Sequence, residues 1–247
     1  MTSRATVLSP ATPSEFLLHT LSSQRYPTTI VIGRSQQEFL RAVVEEVALQ
    51  LSTERTSKQD NLQDGSNEKT ISRPFLESPL SQVALSRHIR LVFISTITHL
   101  RAYLSILSAA NSPVAAPPGY TPDGNPPLLL VYGLLALHRD TSEWSAQGLG
   151  NSTAVLVDCA ARNAFLPVVV EPRGAGGHDG LDHLARETVP ILNGTPRNED
   201  GIWNGRSVTV QQVMSRWFEF ESRDWKEETD HLSKNKTIVS PEDRHQD

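Results

Sequence analysis

The chain has 247 residues, a formal net charge of -5, 38% hydrophobic residues and a single cysteine, Cys159, with a mean hydropathy of -0.33. That length suits one α/β domain with additions; the acidic balance leaves no overall basic field for nucleic acid, and the lone cysteine excludes an intramolecular disulfide and fits a reducing compartment. Residues 1–27 hold no basic stretch followed by an apolar core, and no apolar run approaches the roughly 20 residues that span a bilayer, so the sequons at Asn151, Asn193 and Asn235 are read as unused.

Along the chain, residues 1–27 read as a polar lead with one short helix, Ser14 to Leu21, behind Pro13. Ile30 to Ile32 form a buried strand. Ser35 to Leu51 has helical spacing, with Phe39, Val43, Val47 and Leu51 on one row and Leu40 and Val44 beside it. Residues 52–72 turn polar and read as a disordered insertion that continues loosely to about Ser86. Ile89 to Ser95 is a second buried strand, followed from Thr96 by a helix with Ile97, Leu100, Leu104 and Leu107 on one face. Six prolines make residues 111–127 a loop. LLLVYGLLAL holds a third strand, Ser145 to Ala164 a helix weakened by Gly148 and Gly150, and PVVVEP a fourth strand. Continuous apolar strands that alternate with amphipathic helices imply an α/β fold whose parallel sheet is covered on both faces. Beyond Gly180, TVPILNG and RSVTV read as an antiparallel hairpin, RWFEFE adds an edge strand, and residues 222–247 are a charged tail.

TTIVIGRSQQEF has the strand–glycine–helix outline of a phosphate loop. A Walker A motif, GxxxxGK[ST], uses glycines so that N–H groups converge, a lysine for the β/γ-phosphates and a hydroxyl for magnesium. Gly33 survives here, and the lysine does not. Ser35 and Glu38 instead fit a capping box that closes the helix start, and a carboxylate in the first turn repels an incoming phosphate. Arg34 is placed to meet an anion. The strand LLLVYG ends in Tyr132 and Gly133 where a magnesium-binding Asp is expected, and IRLVFIS ends without a carboxylate.

HDGLDH offers His178, Asp179, Asp182 and His183 as metal ligands, in a glycine-rich setting that provides no rigid frame and favours a polar loop. His138, Asp158 and several serines supply triad residue types without a GxSxG elbow. Cys159 reads as a buried structural thiol. Trp144 and Trp203, in polar loops, suit either base stacking or local packing.

LLLVYGLLALHRDTSEWSAQGL, its helix and PVVVEP together resemble the central part of the RecA-like recombinase ATPases. The resemblance covers residues 28–51 and 89–221. It implies a RecA-like, P-loop-type sheet with the hairpin as its antiparallel extension. His138 to Gln147 match the family's first DNA-facing loop and Glu171 to Gly180 its second. It makes residues 28–221 one degenerate domain whose Gly33, Arg34, Ser35 and Glu38 stand at the former phosphate site. Every ATP-handling position departs from the family pattern, so the resemblance implies a non-catalytic paralogue with no cofactor. Such paralogues include the DNA-binding accessory subunits of the Shu complex and the degenerate ring subunits of Elongator.

Three functions follow. The first is a nuclear accessory subunit in homologous recombination that binds DNA through Arg139, Arg173 and Arg206 and pairs with a similar subunit. The second is a scaffold subunit of an Elongator-type transfer-RNA-modification complex. The third is a weak ATPase.

Overall fold

The computed structural model describes residues 4–23, 25–60, 80–109, 114–118, 120–121, 124–173, 180–192 and 206–225. The chain runs through β1 (Thr6–Ala11), α1 (Pro13–Ser23), β2 (Thr28–Ile32), α2 (Gln36–Asp60), α3 (Leu80–Ser86), β3 (Ile89–Phe93), α4 (Ile97–Ile106), β4 (Leu128–Tyr132), α5 (Leu134–His138), α6 (Ala146–Arg162), β5 (Leu166–Pro172), α7 (Leu181–Arg186), β6 (Thr188–Pro190), β7 (Ser207–Thr209), α8 (Val210–Met214) and β8 (Glu219–Glu221). Six strands form one sheet in the order β3-β2-β4-β5-β1-β8, all parallel, and β6 and β7 pair antiparallel as a separate sheet. The fold is therefore α/β, as the alternation of apolar strands and amphipathic helices requires.

Two cores sandwich the sheet. On one face α1 and α2 bury Phe16 and Phe39 against Ile30, Ile32, Leu130 and Tyr132. On the other, α4, α5 and α6 bury Leu100, Leu104, Leu135 and Leu156 against Val31, Leu129 and Val131. Each such side chain removed from water contributes about 1.5–3 kcal/mol before chain entropy is counted. β2 and β4 are buried at every position because helices cover both faces.

Several expectations change. The N-terminal lead contains β1, an interior strand between β5 and β8. Its register shifts between Leu8 and Ala11, around Pro10, which has no N–H to give the ladder. The helix expected to end at Leu51 continues to Asp60, and Leu80–Ser86 is helical, so both ends of the supposed 52–86 insertion are helix. The remainder of that insertion lies outside the described residues. β3, read as buried, is an edge strand with Leu91 43% exposed. The start of the expected 222–247 tail belongs to the fold, because Trp225 is buried and its Nε1 donates to Ser9 O at 3.2 Å; residues 226–247 lie outside the described residues. Among the described residues no helix is long and apolar enough to cross a membrane.

Candidate functional site

All six sheet strands point the same way, so every strand's carboxyl end lies at one edge. The chain leaves β2 toward β3 and leaves β4 toward β5, on the opposite side. The gap between β2 and β4 is thus the switch point where open α/β sheets bind ligands. A cleft of about 870 Å³ opens there, lined by Gly33, Arg34, Glu38 and Arg41 from the β2–α2 side and by Arg139 and Asp140 after α5. Its charges are mixed rather than uniformly basic.

The β2–α2 junction explains what replaced the phosphate loop. Ser35 N donates to Glu38 Oε2 at 3.1 Å, Ser35 Oγ donates to the same oxygen at 2.6 Å, and Glu38 N donates to Ser35 Oγ at 3.3 Å. The capping box is complete. These bonds, with Arg34 and Arg41 nearby, hold the Glu38 carboxyl below its ordinary range. Gly33 serves packing: a Cβ there would lie 2.5 Å from Gly133 O. Gly133 takes φ +86°, a left-handed conformation that favours glycine, and turns the chain from β4 into α5.

The same solution recurs at two further helix starts. At α1, Thr12 N donates to Glu15 Oε2 at 2.8 Å, and Ser14 N donates to Glu46 Oε2 at 3.1 Å. At α5, Leu135 N and Ala136 N donate to the two carboxylate oxygens of Glu171 at 2.7 and 3.1 Å. Glu171 comes from β5, is 1% exposed, and has its carboxyl pushed up to about 7 by burial, against the stabilising pull of those N–H groups. Three helix N-termini at the carboxyl edge therefore hold carboxylates of the chain itself, and those of the longer α1 and α2 are the kind that otherwise attract anions. Sequence reasoning found the Ser35–Glu38 box and missed Glu15, Glu46 and Glu171. Thr12–Pro13–Ser14–Glu15 carried a readable signal, a capping-box pattern with proline at the first helical position.

Tyr132, at the position where a magnesium-binding Asp was expected, turns into the α1–α2 core. It stacks 4.7 Å from Phe16, and its hydroxyl donates to Ala11 O at 3.0 Å. His138 and Ser152 do meet, with Nε2 and Oγ 2.9 Å apart, but both are fully buried. The Nδ1 atom lies 2.8 Å from Leu134 O instead of a carboxylate. Burial holds the imidazole below its ordinary range, so it is neutral, with Nδ1–H as donor and Nε2 as acceptor. Arg101 closes the network, donating to Ser152 Oγ at 2.9 Å, Gly148 O at 2.9 Å and Glu143 at 2.7 Å. This pair lacks both a third triad member and substrate access. Asp158 lies on the exposed side of α6, paired with Arg162 at 2.9 Å. Cys159 is buried, and burial pushes its thiol up, the state of a structural rather than a reactive cysteine.

The three arginines expected to face DNA are not equivalent. Arg139 makes a two-point pair with Glu187, at 3.0 and 2.6 Å, and lies 5.8 Å over the Trp144 ring. Arg173 pairs with Glu15 at 3.0 Å and donates to Pro10 O at 3.2 Å. Arg206 is exposed, just before β7. Two of the three thus fasten α5 to the start of β6 and β5 to α1. Asp182 and His183 are exposed on α7, His178 and Asp179 lie outside the described residues, and no group of three metal-binding side chains occurs among the described residues. Trp203 also lies outside them.

Neither a protein-family model nor a curated protein matches the chain.

Proposed function

We propose that the chain is a non-catalytic RecA-like accessory subunit, acting in homologous recombination in the nucleus, that works by assembling with a similar subunit rather than by turning over nucleotide. The observation that carries the reading is the filling of the α1, α2 and α5 N-termini by Glu15, Glu38, Glu46 and Glu171. A phosphate entering any of these places must displace a carboxylate that is already satisfied. Weak DNA contact in this reading falls to Arg206, Arg34 and Arg41, because Arg139 and Arg173 are engaged by glutamates. Phosphate contacts make affinity fall steeply with salt. The test is DNA binding by the chain with its partner subunit across a salt series. A salt-sensitive affinity weakened by Arg206→Ala supports the DNA role, and an affinity indifferent to both removes it.

The engagement of Arg139 and Arg173 favours a second reading, a scaffold subunit of the Elongator type whose fold supplies assembly surfaces alone. Affinity purification from the native cell separates the two, since recombination factors and transfer-RNA-modification subunits are disjoint partner sets. ATP hydrolysis abolished by Arg34→Ala would refute both and restore the third reading, a weak ATPase.

A further inference from the structure

Among the described residues the sheet ends in β3 on one side and β8 on the other, and the two are built differently. β8 is three residues long, Glu219–Phe220–Glu221, and Arg4 pairs with Glu219 beside it. Pairing β8 with a copy of itself, antiparallel about Phe220, would set Glu219 against Glu221 twice, and such like-charge pairs keep an edge unpaired. β3, Ile-Arg-Leu-Val-Phe, carries no acidic residue.

The backbone of β3 is ready for a neighbour. Ile94 N donates to Ile32 O at 2.9 Å, so even-numbered residues turn their N–H and C=O groups toward β2. The alternation of a strand then turns those of Ile89, Leu91 and Phe93 outward. Leu91 is 43% exposed, on the face that Ile89 and Phe93 share with α2. On α2, Phe39 and Val43 pack inward, and Leu40 and Val44, one position further on, are 50% and 66% exposed. One residue is about 100° of helix. Glu46 marks the α1 flank through its bond to Ser14 N, and a right-handed β2–α2–β3 crossover turns Leu40 and Val44 to the opposite flank, above the β3 edge. An apolar side-chain stripe thus accompanies backbone that is unpaired among the described residues at one rim.

We propose that this rim binds a second copy of the chain about a two-fold axis, with β3 pairing antiparallel to β3 of the copy and Leu91 facing Leu91. The register is self-complementary. It sets Arg87 against Ser95, His88 against Ile94, Ile89 against Phe93 and Arg90 against Val92, so no like charges stand directly opposite one another, as the glutamates of β8 would. The outward groups of Ile89, Leu91 and Phe93 all find partners, and the two sheets join into one. A closed two-fold dimer uses the same patch on both members, as this register does. The proposal rests on the assembly reading above. Nucleotide turnover would sink that reading and leave the rim intact, whereas a monomeric chain would sink the rim proposal alone.

The experiment is sedimentation of the full chain at micromolar concentration. A mass of twice 27.3 kDa is expected. Leu91→Lys, which sets two like charges on the axis, shifts it to monomer. Val44→Glu, at an exposed helix position that leaves folding intact, weakens the dimer by roughly tenfold. Leu91→Cys oxidises to a cross-linked dimer, because directly opposed residues of a hydrogen-bonded antiparallel pair lie about 5.5 Å apart at Cα, within disulfide reach. A monomeric wild-type chain, even one that captures a different protein at this rim, overturns the proposal. So does a dimer that Val44→Glu and Leu91→Lys both leave unchanged.

Discussion

Two carboxylates do the same work at two helix starts and titrate in opposite directions. Glu38 caps α2 from within its own first turn, in water, and its carboxyl is held below the ordinary range. Glu171 caps α5 from a neighbouring strand, fully buried, and its carboxyl is raised to about 7. The N–H donors favour the charged form at both sites. At Glu171 desolvation outweighs both those donors and the nearby Arg139 charge, which is itself paired with Glu187. The exposed box closes a helix end cheaply and locally. The buried one welds α5, and with it the cleft wall, to the middle of the sheet.

The largest way to break that comparison is Glu171→Ala. It strands the N–H groups of Leu135 and Ala136 in the interior, and a loss of about 2–3 kcal/mol is expected, measured by urea unfolding below about pH 7. Glu171→Gln keeps an acceptor and sharpens the pH contrast instead. A folded-state pKa raised from 4.5 to about 7 means the native state binds the proton more tightly than the unfolded chain. The stability this gives is full below 4.5 and is lost as pH rises through 7. The wild-type chain should show that decline and Glu171→Gln should not, other groups being unchanged. Glu38 has the opposite sign: its contribution is present above 4.5 and is lost as pH falls through its lowered value.

Ser35→Ala removes the side-chain half of the exposed box, and about 1 kcal/mol is expected from equilibrium unfolding. Arg139→Ala comes last in stability. Its pair with Glu187 is part-exposed, at 38% and 24% for the two side chains, and such pairs are worth up to about 1 kcal/mol. Its more specific effect is loosened protection of the amides between α5 and α6, read by hydrogen exchange.

What could be read from the sequence divides along the same line. Ser35 and Glu38 stand three residues apart, and their box was legible. So were β2, β4 and β5, as unbroken apolar runs, and α4 and α6, through their spacing. Glu171 holds donors 35 and 36 positions away, and the resemblance set it at the start of a DNA-facing loop, whereas it is buried in β5. Arg139 and Arg173 were expected to face DNA, because their partners Glu187 and Glu15 lie 48 and 158 positions off. β1 was missed for the same reason. Thr6–Ala11 is short, with Pro10 inside it, and it accepts hydrogen bonds from Tyr132 in the middle of the chain and from Arg223 and Trp225, 214 and 216 positions away. One sheet end was legible, since RWFEFE was read as an edge strand and β8 is one; the other was not, because IRLVF reads as an interior strand until the strand order puts it last among the described strands.

The measurement that bears most directly on the central claim is the thermal midpoint of the wild-type chain with and without millimolar magnesium ATP. A ligand that binds the native state at a hundred times its Kd adds about 2.7 kcal/mol of stability, a shift of several degrees. With carboxylates seated at the starts of α1, α2 and α5, no shift is expected, for ATP or for inorganic phosphate. A saturable rise in the midpoint with ATP, lost in Arg34→Ala, would contradict it.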